Sequence, residues 1–141
     1  MSGSLRSFCI DKEGKEHTLQ FAIKDWWISD FIAIYNSEPA ALTVESITDS
    51  TIVEFNFQKL NEIYDQFPEF ELFQRKNLER HVVGLNKRIL NQLQLTALER
   101  YRLFLEQYPD IEQSIPNYHI ASYLGMTQQS LSRVRADMAK N

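Results

Sequence analysis

One cysteine, four glycines and four prolines among 141 residues leave little material for several kinds of chemistry. The lone Cys9 excludes an internal disulfide and a Cys-ligated iron–sulfur cluster built within one chain. So few glycines offer little for an active-site loop, and no Gly-rich phosphate loop is present. His17, His81 and His119 are too scattered for a metal-ligand pattern such as His-x-x-x-His, so packed or surface histidines are expected, with no metal and no cofactor. No Ser-His-Asp or Cys-His set emerges from spacing, and an enzyme is not expected. A run of eighteen apolar residues and a basic-then-apolar leader are both missing. A soluble, non-exported, cytoplasmic protein without membrane contact follows as the expectation.

What is there is a chain 43% hydrophobic and 12% aromatic, enough for one ordinary domain or two small ones sharing a helix, and too apolar for disorder. Charge is unevenly spread. Residues 1–68 carry 5 Lys and Arg against 11 Asp and Glu, whereas residues 69–141 carry 10 against 8. The acidic half is a poor partner for nucleic acid and the mildly basic half a possible one. The overall net charge of −4 argues the other way, so any nucleic-acid reading must rest on a motif rather than on bulk charge.

The first segment reads as β structure. Leu5 to Ile10 is apolar-rich, Asp11-Lys12-Glu13-Gly14 is a turn, and Glu16 to Ala22 returns with Leu19, Phe21 and Ile23 alternating, which predicts a hairpin. After Trp26-Trp27, an apolar patch from Phe31 to Tyr35 fits one helical turn, and Glu38-Pro39 breaks it. Leu42 to Ile47 and Thr51 to Phe57 read as two further strands joined by Thr48-Asp49-Ser50. Trp26-Trp27 fits either a ligand-pocket wall or a buried aromatic pair at the edge of the β unit.

Helical spacing takes over near Phe57. Leu60, Ile63, Tyr64 and Phe67 mark a short helix that Pro68 ends. A longer helix is predicted from Glu69 to about Leu93, with Leu78, Val82, Leu85 and Ile89 at steps of four and three. That heptad spacing fits a dimer seam, and it also fits a helix packed on its own core. Gly84 within it points to a close backbone approach. Thr96-Ala97-Leu98-Glu99 is a capping-box pattern opening a helix that carries Tyr101, Leu103, Phe104, Leu105 and Tyr108, and Pro109 stops it.

The most informative stretch is Asn117 to Asn141. Ile120, Ala121 and Leu124 recur at helical spacing, Gly125 interrupts, and Met126, Leu131 and Val134 resume the pattern. A small residue where two helices cross, Ala121, and a glycine in the turn are what a helix-turn-helix needs. Thr127 is positioned to cap the second helix, leaving Gln128, Gln129, Ser130, Ser132, Arg133 and Arg135 as its polar side chains. Such a helix suits a major groove: glutamine can pair with adenine, arginine with guanine or a phosphate. An ordinary helical hairpin with a solvated polar face has the same spacing.

Ile120 to Arg135, with what precedes it from Leu78, resembles the C-terminal helix-turn-helix of Crp/Fnr-type bacterial transcription regulators. The resemblance extends more loosely over nearly the whole chain. It implies an α+β protein: a partial antiparallel β-roll of the cyclic-nucleotide-binding kind over residues 1–68, a dimerisation helix over 69–95 and a DNA-binding domain over 96–141. The implied function is sequence-specific binding of double-stranded DNA by a homodimer joined along Leu78, Val82, Leu85 and Ile89. A family β-roll has about twice as many strands, and Ser2-Gly3-Ser4-Leu5-Arg6 resembles the middle of a family member. The chain is therefore expected to open in mid-domain, with a second copy covering the exposed sheet edges. Asp110 to Pro116 is too short for the family's two-stranded wing. The oxygen-sensing branch, which needs several cysteines, does not fit. In the nucleotide-binding branch a Gly-Glu pair and an Arg-Ser/Thr-Ala run hold the ligand, but Ser29-Asp30 and Pro39-Ala40-Ala41 stand at those places here, so no response to cyclic AMP is expected. The alternative reading is a small-ligand or protein-interaction module in which the helix-turn-helix is only a packing unit.

Overall fold

The computed structural model describes residues 2–109 and 112–140. Asp110 and Ile111, in the connection expected to replace a wing, and Asn141 lie outside the described residues.

Strands β1 (Leu5–Ile10) and β2 (Glu16–Ala22) form the expected antiparallel hairpin. Its turn is built by Asp11, whose Oδ1 accepts from the amides of Glu13 and Lys15 at 2.9 Å, and by Gly14 at φ 81°. A six-residue helix, α1 (Phe31–Asn36), follows, and β3 (Thr43–Ser46) then pairs with the other edge of β1, giving the order β2-β1-β3. Flanked on both sides, β1 buries every residue from Leu5 to Phe8, including Arg6. That buried guanidinium is matched from the two outer strands: Arg6 donates to Glu16 and Glu45, each at 2.5 Å.

The expected strand over Thr51 to Phe57 is not formed. Only Thr51 bridges to Ser2, and residues 52–56 are exposed. The alternating pattern is present there, but among the described residues no further strand lies beside it to accept its hydrogen bonds. Phe55 is instead held by stacking on Trp27, with ring centroids 5.3 Å apart.

Helix α2 (Leu60–Gln66) and helix α3 (Pro68–Gln94) meet at Phe67. Pro68 both stops the first and opens the second, since the first turn of a helix needs no N–H from it. Twenty-seven residues at about 1.5 Å each make α3 roughly 40 Å long. Helix α4 (Ala97–Gln107) begins with the complete capping box: Thr96 Oγ1 accepts from Glu99 N and Glu99 accepts from Thr96 N. Helices α5 (Asn117–Tyr123) and α6 (Gln128–Met138) complete the chain.

The core lies in the C-terminal half, among Tyr101, Phe104, Tyr108, Ile115, Ile120, Ala121, Leu124, Leu131 and Val134. One residue of the sheet joins it. Phe21 of β2 is fully buried and meets Phe104 and Tyr108 edge-on at about 6 Å, so burial of one aromatic, about 1.5–3 kcal/mol, pins the sheet to the helices. Ser122 of α5 adds a polar clamp, accepting from Thr18 N at 2.9 Å and donating to Glu16 O at 3.1 Å.

Candidate nucleic-acid interface

The helix-turn-helix forms as its residues require. Leu124 ends α5, Gly125 takes φ 64°, and the amides of Gly125 and Met126 return to the carbonyls of Ser122 and Ala121 at 3.1 and 2.9 Å. This paired closure is a Schellman motif, which only a residue at ease with positive φ closes without strain. Thr127 then caps α6, its Oγ1 accepting from Ser130 N at 3.1 Å. Leu131 and Val134 are buried beneath the helix, with Met138 packed at the margin of the same core.

The opposite face is open. Gln128, Gln129, Ser132 and Arg133 are all exposed, and at 100° per residue they span one contiguous arc of α6. Thr127 lies at the start of that arc, with Ser130 half-buried and bonded to its hydroxyl at 3.0 Å. Arg135 is different. Its Nε donates to Tyr101 at 2.8 Å, one amino group donates to Asn117 at 2.6 Å, and the other pairs with Glu112. The side chain grouped with the polar face by spacing is thus committed to α4 and the start of α5. Sequence spacing could not find that, because Glu112 and Tyr101 are distant in sequence.

The four α3 residues read as a seam divide between two positions. Val82 and Ile89 are exposed, whereas Leu78 and Leu85 are half-buried. Leu72, Val83, Leu90 and Leu93 are exposed as well, so the open apolar stripe is wider than the heptad reading and centred on Val82, Ile89 and Leu93. Gly84 makes no close approach: a Cβ placed there has nothing within 4 Å. That expectation fails because α3 stands off from its neighbours at this level.

In the segment matched to a nucleotide cassette, Asp30 is buried and fully used. It caps α1 by accepting from Ala33 N at 3.1 Å and holds the following loop by accepting from Ala41 N and Leu42 N at 2.8 and 3.0 Å. Those amides, Ala33 foremost, keep its carboxyl below the ordinary range. Pro39, Ala40 and Ala41 are exposed, and Ser29 is half-buried. No group of three or more histidine, cysteine or carboxylate residues fit to hold a metal occurs among the described residues. Among them, too, no helix is long and apolar enough to cross a membrane.

A short antiparallel sheet, a long connecting helix and a C-terminal helix-turn-helix with an open polar face together define the architecture of the chain. No protein-family model matches the chain, and no curated protein matches it in sequence. Solved structures do match. The chain is similar to the c-di-GMP-responsive global regulator CLP of Xanthomonas campestris, with TM-score 0.75 and 12% identity over 99% of this chain and 74% of that one. It is similar to FixK2 of Bradyrhizobium japonicum, with TM-score 0.73 and 15% identity over 99% of this chain and 72% of that one. A transcriptional regulator of the Crp/Fnr family from Eubacterium rectale gives TM-score 0.70 and 18% identity over 99% and 67%. At these identities the likeness is one of fold, and the fold is that of Crp/Fnr-type regulators.

Proposed function

We propose that this chain is a sequence-specific DNA-binding transcription regulator that acts as a homodimer and catalyses no reaction. The observation that carries the reading is the open arc of Gln128, Gln129, Ser132 and Arg133 on a helix whose start is capped by Thr127 and whose far half is braced by Arg135. A rigid helix presenting bidentate donors is what base-edge readout in a major groove needs. In this reading Gln128, Gln129 and Arg133 meet base edges, Thr127, Ser130 and Ser132 meet phosphate or sugar, and Arg135 positions the helix.

Residues 1–68 form the sensor-like unit, 69–95 the dimerisation helix and 96–141 the DNA-binding unit. The dimer forms along α3. Its exposed stripe is apolar enough to demand cover, and a two-fold axis along it sets two recognition helices about one DNA turn, roughly 34 Å, apart. The site is then a palindrome. A cytoplasmic protein follows from that role.

Electrophoretic mobility on a duplex enriched from a random pool, against unselected duplex and over a salt series, tests the reading. A specific complex at least a thousandfold tighter than the unselected one is expected, since specific binding exceeds non-specific by about 10³–10⁷. No preference for the enriched duplex would overturn it.

A further inference from the structure

Four ionisable side chains, one from each strand and one from α5, meet where the sheet lies against the helix-turn-helix. Buried Arg6 of β1 donates to Glu16 Oε2 of β2 and to Glu45 Oε1 of β3 at 2.5 Å each, and to Thr18 Oγ1 at 3.3 Å. Its guanidinium lies 3.9 Å from the Phe8 ring. Buried His119 of α5 stands on the other side, Nδ1 3.9 Å from Glu16 Oε2 and Nε2 3.9 Å from Glu45 Oε1, both beyond hydrogen-bond reach. Nδ1 has no partner among the described residues, and the ring packs instead on Tyr118, centroids 3.8 Å apart.

The two oxygens nearest His119 are the same two that Arg6 holds. A neutral ring asks nothing of them. A protonated ring carries a charge and two N–H donors, and it is satisfied only by drawing both carboxylates away from Arg6, whose buried charge is then unmatched. Burial first, then Arg6, hold the imidazole below its ordinary range against the pull of the two glutamates, so at neutral pH the competition does not arise.

The hairpin supplies the part that gives way. Gln20 pairs with Ser7 but Thr18 with Phe8, which leaves Leu19 as a bulge in β2. On the outer side of the bulge, Thr18 N donates to Ser122 Oγ and Ser122 donates to Glu16 O, the polar clamp to α5. On the inner side, Phe21 is anchored in the helical core. A bulge is where a strand bends, so the outer half can leave α5 while Phe21 stays.

We propose that His119 is a proton-operated latch: neutral, it lets the outer half of the hairpin dock on α5, and protonated, it releases that half by bending at Leu19. Release uncouples the helix-turn-helix from the acidic half of the chain below about pH 6.5, the ordinary histidine range. The latch rests on the fold alone and stands whether or not the chain binds DNA.

Hydrogen exchange read by NMR on the full chain, corrected for the intrinsic effect of pH, tests it through one amide. Thr18 N–H bonds across the interface, whereas Leu131 N–H bonds to Thr127 O within α6. From pH 8 to pH 5 the protection of Thr18 relative to Leu131 should fall about tenfold or more, a factor of ten corresponding to one pKa unit, and its midpoint should match the titration of the His119 ring protons. His119→Gln should hold the ratio constant, and His17→Gln and His81→Gln should leave the midpoint in place. Should His119→Gln fail to unfold cooperatively, Glu45→Gln, at a half-exposed position, supplies the second arm: with one carboxylate gone, both midpoints should move down by about half a unit or more. A ratio independent of pH in the parent, a pH response kept in His119→Gln, or midpoints unmoved by Glu45→Gln would each overturn the proposal.

Discussion

Arg135 of α6 is ion-paired to Glu112, 23 positions earlier, and the same guanidinium also donates to Tyr101 and Asn117. One side chain therefore ties the second half of α6 to α4 and to the entrance of α5. Its neighbour two positions earlier, Arg133, is exposed. Two arginines on one helix thus have separable tasks.

Arg133→Ala is expected to weaken binding to an enriched duplex by about 1–3 kcal/mol, with a much smaller loss on random duplex. Thermal unfolding should be unchanged. Arg135→Ala leaves Glu112 without its cation, held only by the Tyr101 hydroxyl at 2.8 Å, so it should lower folding stability by about 1–3 kcal/mol and weaken both duplexes together. Calorimetry with mobility shifts reads both. Equal loss on both duplexes for Arg133→Ala would make that residue a phosphate contact.

On α3, Val82, Ile89 and Leu93 are 54%, 53% and 78% exposed, with Asn86 falling between them at steps of four and three. Ile89→Asp should abolish the dimer in sedimentation, because the seam would bury an unpaired charge. Leu85→Asp should affect association less, since Leu85 is half-buried and lines an internal cavity. A polar residue in such a seam specifies register at a cost in stability, so Asn86→Leu should tighten the dimer. A dimer unchanged by Ile89→Asp would place the contact on the exposed β edge instead.

Local signals were legible in the sequence wherever the cause was local. The Asp11–Gly14 turn, the Thr96–Glu99 capping box, the Gly125 closure and the Thr127 cap all depend on residues within five positions of one another. Each was readable from side-chain type and spacing. The strand expected over residues 51–57 failed because strand formation depends on a neighbour, which period-two alternation does not reveal. The roles of Arg6, Ser122 and Arg135 were hidden for the same reason, since their partners come from other elements. Heptad spacing marked α3 as a helix but not which of its apolar residues face outward. That depends on where the rest of the chain packs.

Gly84 and Gly125 should respond oppositely to alanine. Gly84 sits in mid-helix with open space at its Cβ position, so Gly84→Ala is expected to stabilise the fold by about 0.5–1 kcal/mol. Gly125 holds φ 64°, and an added Cβ would meet Gln92 at 3.3 Å. Gly125→Ala should cost about 1–2 kcal/mol, mostly from the backbone. Denaturant midpoints decide both, and a stabilising Gly125→Ala would mean the turn relaxes out of the left-handed region.

His119 of α5 is buried between the sheet's two carboxylates, 3.9 Å from Glu16 and from Glu45, with Arg6 wedged among them. Burial first, then Arg6, hold its imidazole below the ordinary value, against the pull of the two glutamates. The unfolded chain accordingly binds more protons than the folded one below about pH 6.5. The associated stability is complete above that pH and is lost as pH falls through the folded value. His119→Gln should flatten the stability–pH curve between pH 7 and 5. An unchanged slope would assign it to other groups.

The final prediction concerns cyclic nucleotides. A bound cyclic phosphate needs a cation or several free donors, because an anion stripped of water without them forfeits charge-assisted hydrogen bonds of about 1.5–3 kcal/mol each. No arginine lies between Arg6 and Arg75, and Arg6 is already bonded to Glu16 and Glu45. Lys24 precedes the segment. The amides of Ala33, Ala41 and Leu42, the natural substitutes for a cation, all donate to Asp30. A phosphate placed there would have to displace that carboxylate or lie against its charge. Asp30→Asn should loosen the link between α1 and β3 without creating a nucleotide site. Titration calorimetry of the parent chain with cyclic AMP and cyclic GMP should show no heat of binding at micromolar concentrations, and a micromolar dissociation constant for either would show that Asp30 yields its amides to the ligand.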